Sequence, residues 1–386
     1  MDMKTNFLKK KLGILGGGQL GKMLINVARK WSIETYILDP NPDCPSSKCC
    51  DLFFNGDFNS YEEVYNFGKK VDIITIEIEH VNVKALYRLE EEGVAVYPSP
   101  SNIELIQNKG VQKDFFKKNK IPTSNYKRFD DKKTLSKYIS RIESSYPFIW
   151  KSETMGYDGK GVKLVKSLSD LDEINENSCV IEDVVDIKHE LAVLVARNSS
   201  GESKSFPVLE MEFNQKSNQL EYVILPSRIS KKIKLKSLKI AELVSKSLNH
   251  VGLIAVELFC THNDDVLVNE IAPRVHNSGH LTIESCITSQ FEQHIRAIYD
   301  MSLGSVNQIL PGVMVNLVGE NNHNGEAFYR NIDKAFDLEG VFPHLYGKKI
   351  TKPNRKMGHI TIIDEKLEKA ISKARVLKNK IKIIST

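Results

Sequence analysis

The sequence predicts an α/β protein, α+β overall, and three observations support this fold class. Over the first hundred residues, short apolar segments alternate with helical patterns, which is typical of a parallel, doubly wound sheet. After Tyr97-Pro98-Ser99-Pro100 the pattern becomes helical and is followed by strands joined through polar turns, so a second domain begins there. From Leu310 onward the chain has the pattern of a smaller β-rich segment.

Composition places the chain among ordinary globular proteins. Its 386 residues are 41% hydrophobic and 27% charged, with a formal net charge of +5, which suits two or three domains. The basic residues are spread along the sequence, so support for nucleic-acid binding is weak and we expect none. No apolar run approaches the length of a membrane span and no signal peptide fits, so we expect a cytoplasmic protein. The six cysteines form no CxxC pair, and we expect free thiols.

The first predicted strand, Leu12 to Leu15, runs into a glycine-rich loop that opens a helix. The loop Gly16-Gly17-Gly18-Gln19-Leu20-Gly21 matches GxGxxG, and Asp39 ends the second strand 18 residues after Gly21. This imitates a dinucleotide fingerprint, so an NAD(P)-dependent oxidoreductase has to be considered. The loop itself is less specific, because glycines at a helix N-terminus let backbone N–H groups approach any phosphate.

Acidic residues follow the fourth predicted strand, Ile73 to Ile76. Glu77 and Glu79 lie at its carboxyl edge, where open α/β sheets bind ligands. A solvated strand end and contact with a substrate are equally good interpretations of these residues. The remaining elements predicted in this domain are a helix from about Leu20 to Lys30 and the strands Thr35 to Leu38 and Leu52 to Phe54.

The second domain opens with a predicted helix, Asn102 to Lys120, and then carries another glycine-rich loop. The strand Pro147 to Lys151 ends in a lysine, and the loop Thr154 to Val162 leads into a further strand, Lys163 to Val165. Because no GK[ST] precedes a helix, this is not a Walker A loop. We expect a mobile lid whose backbone N–H groups and Lys160 close over phosphates.

Two strands after the lid suggest a nucleotide edge, by which we mean a chain segment that pairs with the edge of the adenine base. Cys179 to Val185 runs from an apolar strand into a polar linker, and His189 to Ala196 follows. A linker offers one N–H and one C=O, which match the edge of adenine, and Glu190 is suited to accept a hydrogen bond from a ribose hydroxyl. Alone this signal is weak. Further predicted elements are two strands within Pro207 to Ile229, a helix from Lys234 to Asn249 and a helix from Ile283 to Met301.

The central feature is a predicted hairpin that carries two glutamates. Glu257 closes one apolar strand and Glu270 closes the next, and a polar turn, His262 to Asp265, joins them. Antiparallel neighbours lie about 5 Å apart, so the carboxylates repel each other unless they are protonated or bridged by cations. Asn269 adds a neutral oxygen ligand suited to Mg²⁺. The hairpin therefore predicts a metal clamp, with a plain hairpin bearing solvated acids as the alternative.

A cluster of hydrogen-bond donors follows the second glutamate, over residues 274–280. A plain loop needs no such set, and a cation site followed by an anion-binding loop indicates phosphoryl chemistry. In the C-terminal segment, Lys348 and Arg355 flank one turn and are suited to grip a phosphate, with a solvated face as the default interpretation. The donors after the second glutamate are Arg274, His276, Asn277 and His280.

Taken in order, these features resemble the ATP-grasp superfamily. The match sharpens over four stretches, which are GGGQLG at 16–21, GYDGKG at 156–161, NEIAPRVHNSGH at 269–280 and YGK…NRKMGH at 346–359. Together they are similar to the family of N5-carboxyaminoimidazole ribonucleotide synthetases of purine biosynthesis, over nearly the whole chain. The resemblance implies ATP-dependent carboxylation of 5-aminoimidazole ribonucleotide by bicarbonate through carboxyphosphate, with ADP and phosphate released, and a homodimer.

The resemblance also implies an ATP-grasp fold and its domain boundaries. An N-terminal doubly wound domain covers 1–106, an ATP-grasp domain covers 107–305, and a small β-rich domain covers 306–386. Within the ATP-grasp domain we expect a lid subdomain over about 107–182 and a core over about 183–305.

Site residues are implied in the same way. Mg²⁺, with Mn²⁺ as an alternative, is expected on Glu257 and Glu270. Bicarbonate is expected near the catalytic residues Arg274, His276 and Asn277, and Asp158 on the lid is expected to orient or deprotonate the amine. The residues implied to bind ATP are Lys109, Lys151, Gly156, Tyr157, Asp158, Gly159, Lys160, Gly161, Val162, Glu182, Asp183, Val184, Val185, Glu190, Asn269 and Glu270. Those implied to bind the ribonucleotide are Gln19, Leu20, Glu77, Tyr157, Asp158, Lys348 and Arg355.

Departures from the family and rival functions complete the prediction. Relatives often carry a histidine near position 213, where this chain has Phe213-Asn214. A formate-dependent ribonucleotide transformylase is the closest rival, but such relatives tend to read His-Asp-Thr-Gly where this chain reads His276-Asn277-Ser278-Gly279, and they lack the YGK…NRK segment. An oxidoreductase leaves the glutamate pair unexplained, and a basic binding module comes last.

Overall fold

The computed structural model describes residues 9–141, 146–154, 161–175, 177–215 and 217–386. Its N-terminal elements are β1 (Leu12–Leu15), α1 (Gln19–Lys30), β2 (Thr35–Asp39), β3 (Leu52–Asn55), α2 (Tyr61–Gly68), β4 (Ile73–Ile76), α3 (Val83–Glu91) and β5 (Ala95–Val96). They form a parallel sheet of strand order β3-β2-β1-β4-β5, as the alternating pattern predicts. Apolar clusters cover both faces, so β1 is buried along its whole length.

The next part of the chain is a small antiparallel sheet with helices beside it. Its elements are α4 (Pro100–Gln107), α5 (Lys109–Lys118), β6 (Tyr126–Phe129), α6 (Lys132–Ile139), β7 (Phe148–Ser152), β8 (Val162–Val165), a 3₁₀ turn (Leu168–Glu173) and β9 (Cys179–Asp183). The strand order is β6-β9-β7-β8. The single helix predicted over 102–120 is wrong in its middle, because Asn108 is extended and its side chain accepts a hydrogen bond from Val111 N to cap α5.

A long antiparallel sheet forms the centre of the molecule. Its elements and flanking helices are β10 (Ile187–Arg197), β11 (Ser203–Ser205), β12 (Leu209–Phe213), β13 (Leu220–Leu225), α7 (Lys231–Ser247), β14 (Gly252–Thr261), β15 (Val266–Ala272), a 3₁₀ turn (Asn277–Gly279), α8 (Thr282–Ser285) and α9 (Gln290–Ile298). The predicted β14–β15 hairpin is confirmed. The helix predicted over 283–301 is interrupted, because Cys286 is extended and Ser289 caps α9.

The C-terminal strands extend this central sheet. The remaining elements are β16 (Gly312–Val318), β17 (Gly325–Arg330), α10 (Asp333–Phe336), β18 (Val341–Leu345), β19 (Ile350–Thr351), β20 (Lys356–Ile363), α11 (Leu367–Lys380) and β21 (Lys382–Ser385). The sheet order is β15-β14-β10-β12-β13-β16-β20-β18, with β11 paired to β10, while β19-β17-β21 form a separate small sheet. Because β13 pairs with β16, the sheet crosses the predicted boundary at 305.

Two apolar layers cover the central sheet. One joins the central strands to β1 and α1 of the N-terminal domain, and the other packs α5 and α7 against the opposite face. The six cysteines are free thiols, as predicted. Among the described residues, no helix combines the length and apolar character that crossing a bilayer requires.

Candidate active site

Glu257 and Glu270 face each other across the β14–β15 hairpin, as predicted, but neither closes its strand, because β14 continues to Thr261 and β15 continues to Ala272. They are direct partners in the strand register, and a bulge follows Glu257. The side chain of Glu257 is 14% exposed and that of Glu270 is 47% exposed, so the pair opens onto a cleft. Burial raises the pKa of Glu257, and Glu270 raises it further, whereas the Lys109 ammonium lowers the pKa of Glu270. This arrangement therefore favours the neutral form of Glu257 and the charged form of Glu270.

Lysines from two other elements supply positive charge to this cleft. Lys109, the first residue of α5, places Nζ 3.2 Å from Glu270 Oε2. Lys151 Nζ, on β7, lies 3.2 Å from Asn269 Oδ1 and 2.9 Å from Glu182 Oε1. The three predicted positions 109, 151 and 269–270 thus come together from distant parts of the chain. Ammonium groups beside carboxylates are suited to a triphosphate accompanied by a divalent cation.

Glu182 is buried beneath these lysines. Its side chain is 5% exposed, Lys113 Nζ lies 2.8 Å from its Oε2, and Ser124 Oγ donates to the same oxygen at 2.5 Å. Burial favours the neutral acid, but the charges of Lys151 and Lys113 outweigh it and lower the pKa of Glu182 to about 2. Sequence reasoning missed Lys113 and Ser124, because neither belongs to a motif. The carboxylate of Glu182 is engaged by protein, and its contact with ATP stays a prediction.

The predicted nucleotide edge follows β9. Asp183 and Val184 are exposed and Val185 is half-buried. Burial raises the pKa of Glu190 on β10 to about 7. A cleft of about 450 Å³ adjoins Glu190 and is lined by residues 187–190, 210–212 and Arg228.

The position where relatives often carry a histidine belongs to a hairpin end. Phe213 closes β12 and packs against the apolar core, and Asn214 N donates to Gln219 O at 2.9 Å in the turn that follows. The guanidinium of Arg228 is held by Glu210, with NH2 of Arg228 2.7 Å from Oε1 of Glu210.

The donors after β15 point to different partners. Arg274 NH2 lies 2.7 Å from Glu79 Oε1 on the N-terminal domain, and within the described chain its buried Nε has no hydrogen-bond partner. His276 Nε2 lies 3.6 Å from Glu257 Oε1. The buried amide of Asn277 is paired reciprocally with that of Asn316 on β16, at 3.0 and 2.7 Å. Arg274 and His276 therefore border the cleft, and the predicted contact of Asn277 with bicarbonate stays a prediction.

The glycine loop donates to carboxylates. Gly17 N donates to Asp39 Oδ2 at 2.7 Å, and Gly21 N donates to Glu77 Oε2 at 3.1 Å. A Cβ at Gly18 would lie 2.0 Å from Glu77 Oε1, so a side chain at this position would require the Glu77 carboxylate to move. Donors used in this way, beside two acids, are poorly suited to a dinucleotide pyrophosphate. The oxidoreductase alternative loses its main support, because Asp39 binds the loop itself.

Other predicted substrate residues gather around Glu77. Burial raises the pKa of Glu77 to about 7, and the nearby charges of Lys348 and Arg274 oppose that rise. Lys348 Nζ donates to Lys356 O at 2.8 Å, and Arg355 NH1 donates to Ile350 O at 2.8 Å, so both belong to one C-terminal hairpin. Lys22 on α1 ties this hairpin to the N-terminal domain by donating to Leu345 O and Tyr346 O at 3.3 Å.

The remaining predicted positions divide into three groups. Gln19 begins α1 and is half-buried, whereas Leu20 is buried in the core, so only its backbone is available to a ligand. Gly161 accepts a hydrogen bond from Ser152 N at 2.9 Å, and Val162 begins β8. The lid residues Gly156, Tyr157, Asp158, Gly159 and Lys160 lie outside the described residues.

Three family profiles match successive parts of the chain. The ribonucleotide synthetase preATP-grasp domain matches residues 9–107, the ATP-grasp domain matches 114–291, and the phosphoribosylaminoimidazole carboxylase C-terminal domain matches 312–373. The ATP-grasp fold with an N-terminal parallel sheet, which the resemblance implies, is thereby confirmed.

Relatives match over most of the chain. N5-carboxyaminoimidazole ribonucleotide synthase of Bacillus subtilis is 35% identical, over 92% of this chain and 91% of that protein. Phosphoribosylaminoimidazole carboxylase of Candida glabrata is 36% identical over 94% of this chain, which spans 64% of the length of that protein. The chain thus corresponds to slightly less than two thirds of this longer relative.

Solved structures agree with these matches. N5-carboxyaminoimidazole ribonucleotide synthetase of Thermotoga maritima is 40% identical, with 98% of this chain and 100% of that chain aligned and a TM-score of 0.89. The N5-carboxyaminoimidazole synthase of Aspergillus clavatus, in complex with ADP and 5-aminoimidazole ribonucleotide, is 31% identical over 97% of this chain and 99% of that chain, with a TM-score of 0.86.

Proposed function

Because the chain belongs to the N5-carboxyaminoimidazole ribonucleotide synthetase family, we propose that it carboxylates 5-aminoimidazole ribonucleotide with bicarbonate and ATP in purine biosynthesis. The observation that carries this proposal is the Glu257–Glu270 pair, faced by Lys109 and Lys151 in one cleft. The homodimer, which the family resemblance implies, and the cytoplasmic location, which is expected from the sequence, are part of the same proposal.

The glutamate pair is suited to hold Mg²⁺, with Mn²⁺ as an alternative. Glu257 loses its proton readily only if a positive charge replaces it, and Asn269 adds a neutral oxygen beside Glu270. Within the described residues, no group of three or more histidine, cysteine, aspartate or glutamate side chains is placed to hold a metal ion. When bound, the ion supplies charge neutralisation for the triphosphate.

Lys109, Lys151 and the lid hold the triphosphate in this proposal, while residues 182–185 and Glu190 bind the nucleoside. Lys109 and Lys151 exchange their carboxylate partners for phosphate oxygens. Bicarbonate lies beside Arg274 and His276. Its oxygen attacks the γ-phosphorus and ADP leaves, which gives carboxyphosphate with phosphate as a good leaving group.

The ribonucleotide binds where the glycine loop and the C-terminal hairpin meet. Gln19, Glu77, Lys348 and Arg355 surround it, with Tyr157 and Asp158 closing from the lid. The amine attacks the carbonyl carbon of carboxyphosphate, phosphate leaves, and Asp158 accepts the amine proton. Closure excludes water, which otherwise destroys the acyl phosphate.

Phosphate release from ATP tests this function. We expect release that depends on both aminoimidazole ribonucleotide and bicarbonate, and none when formate replaces bicarbonate. Ribonucleotide-dependent release with formate in bicarbonate-depleted buffer would establish the transformylase instead. Release that needs neither substrate would reject both ligase assignments.

A further inference from the structure

A buried stack of three histidines joins the loop after β15 to the C-terminal strands. The rings of His280 and His359 lie 4.6 Å apart, and those of His359 and His344 lie 4.4 Å apart and nearly parallel, at 8°. His344 and His359 are cross-strand partners on β18 and β20. We call His280, His359 and His344 the histidine stack.

Polar side chains hold the outer end and the middle of the histidine stack. His344 Nε2 lies 2.7 Å from Glu284 Oε1, and Tyr346 Oη lies 3.0 Å from His359 Nδ1. His280 and His359 are fully buried, and within the described chain the Nε2 atom of each has no hydrogen-bond partner. Apolar residues of similar size would avoid that desolvation cost. Buried polar residues that bear such a cost can hold one geometry. Here the hydrogen bond between His359 and Tyr346 holds the position of Tyr346.

Tyr346 supports Lys348 directly. Lys348 Nζ lies 5.6 Å from the centre of the Tyr346 ring, and Tyr346 N donates to Met357 O at 3.1 Å. Gly347, between the two residues, has a φ of +84°, which turns the chain so that the lysine returns over the tyrosine. The Lys348 ammonium therefore has two supports, the Tyr346 ring and the carbonyl of Lys356, and the position of the ring contributes to the position of the ammonium.

The other end of the histidine stack belongs to the loop that carries Arg274 and His276. His280 ends the turn that begins at Asn277, and Asn277 is bound to Asn316, the β16 partner of His359 in the strand register. Strands β16, β18 and β20 therefore position two segments. One is the loop at 274–280 beside the proposed bicarbonate site, and the other is the hairpin that carries Lys348 beside the proposed ribonucleotide site.

We propose that Tyr346 and His359 are positioning residues for the ribonucleotide, acting through Lys348 and not through contact with the substrate. This inference rests on the proposed function, and it adds residues that lie behind the predicted site. Loss of the hydrogen bond between them should weaken ribonucleotide binding and leave ATP binding unchanged.

The test compares Tyr346→Phe, His359→Phe and His359→Asn. Tyr346→Phe keeps the ring under Lys348 and removes the hydroxyl, and His359→Phe keeps the stacking and removes the ring nitrogen that pairs with this hydroxyl. Each should raise KM and Kd for the ribonucleotide about fivefold, which corresponds to one hydrogen bond, with KM for ATP within about twofold. His359→Asn places an amide oxygen near the position of Nδ1 and should restore the wild-type values. The double Phe variant should be no weaker than either single variant.

His250→Phe is the matched control. His250 is also fully buried and has a ring hydrogen bond, from Nε2 to Leu253 O at 3.0 Å, but it lies away from the histidine stack. The His250→Phe substitution should lower the melting temperature without changing KM for the ribonucleotide or KM for ATP. Lower stability of the Tyr346 and His359 variants with an unchanged KM for the ribonucleotide would overturn the proposal.

Calorimetric titration with the ribonucleotide separates this inference from the proposed function. Binding by the wild type without bicarbonate-dependent turnover rejects the function alone, and the Kd values of the variants still decide the positioning role. Absence of ribonucleotide binding by the wild type overturns both proposals.

Discussion

The cleft at the β14–β15 hairpin and the glycine loop at β1 each contain acidic residues paired with donors, yet the donors differ. In the cleft, Glu270 and Glu182 are paired with lysine side chains. In the loop, Asp39 and Glu77 accept from backbone N–H groups. A lysine can exchange a carboxylate for a phosphate by rotating its side chain, whereas a backbone donor cannot move without changing the fold. The acids paired with lysines therefore suit a site where phosphates can bind. The acids paired with backbone N–H groups hold the glycine loop in its conformation.

The largest expected effect is at the cleft. Glu270→Gln should keep the fold and reduce ATP turnover at least 10³-fold, or about 4 kcal/mol in activation free energy, because a neutral amide cannot replace a carboxylate on a cation. Asp39→Asn is the matched change at the glycine loop, where the amide oxygen still accepts from Gly17, and it should keep ATP turnover. Wild-type phosphate release by Glu270→Gln at saturating Mg²⁺ would remove Glu270 from the metal site.

Stability should distinguish the two acid pairs as well. Glu182→Gln leaves two buried lysines without their anion and should lower the free energy of unfolding by about 3–5 kcal/mol, measured by urea denaturation. Glu77→Gln keeps an acceptor for Gly21 N–H and should cost less than about 1.5 kcal/mol. A larger loss for Glu77→Gln than for Glu182→Gln would contradict the assignment of partners.

Acid should weaken the attachment of the glycine-loop domain. His294 binds Thr75 Oγ1 on β4 at 2.8 Å, and burial lowers its pKa to about 3. Unfolded histidine titrates near 6.5, so the unfolded chain gains a proton between about pH 6.5 and 3 that the folded chain excludes. The contribution of His294 to the free energy of unfolding is therefore fully present above about pH 6.5, and it falls by about 1.4 kcal/mol per pH unit below that pH. His294→Gln should reduce the pH slope of the unfolding free energy by this amount, and an unchanged slope would refute the assignment.

The smallest expected effect concerns Asn277. Asn277→Ala should raise the bicarbonate concentration for half-maximal rate several-fold, about 1 kcal/mol, while the requirement for ATP barely changes. Asn316→Ala removes the same amide pair from the other side. If Asn277 contacts bicarbonate, its own variant should show the larger effect on bicarbonate. Equal effects from the two variants would limit Asn277 to holding the loop in place.

Local pattern predicted most of the fold and the central hairpin. The pairing of Glu257 with Glu270 was predictable, because it follows from two apolar strands joined by a short polar turn. The bulge after Glu257 and the continuation of β14 to Thr261 were not predicted. The breaks at Asn108 and Cys286 were not, because capping competes with a helical periodicity that continues through both points. The GxGxxG motif suggested a dinucleotide site that the structure does not support. The motif specifies the shape of a loop and not which groups its N–H donors bind.

Residues that act across long sequence separations could not be predicted. Lys113 and Glu182 are 69 positions apart, and Asn277 and Asn316 are 39 apart. No periodicity connects such pairs, and each becomes visible only when the strands are placed side by side. The histidine stack belongs to this class, because its members come from a loop and two strands. The predicted lid, Thr154 to Val162, includes positions 155–160, which lie outside the described residues, so it stays a prediction.

The pairing of β13 with β16 makes the C-terminal part of the chain, residues 312–386, a poor candidate for removal. Cutting before β16 would expose the edge of β13, Leu220–Leu225, where four of the six residues are buried. An apolar strand with open N–H and C=O groups is a template for pairing with another chain, so a shortened protein should precipitate instead of folding as a smaller enzyme. The amides of β13 and β16 should exchange with deuterium together, as one cooperative unit that spans both regions.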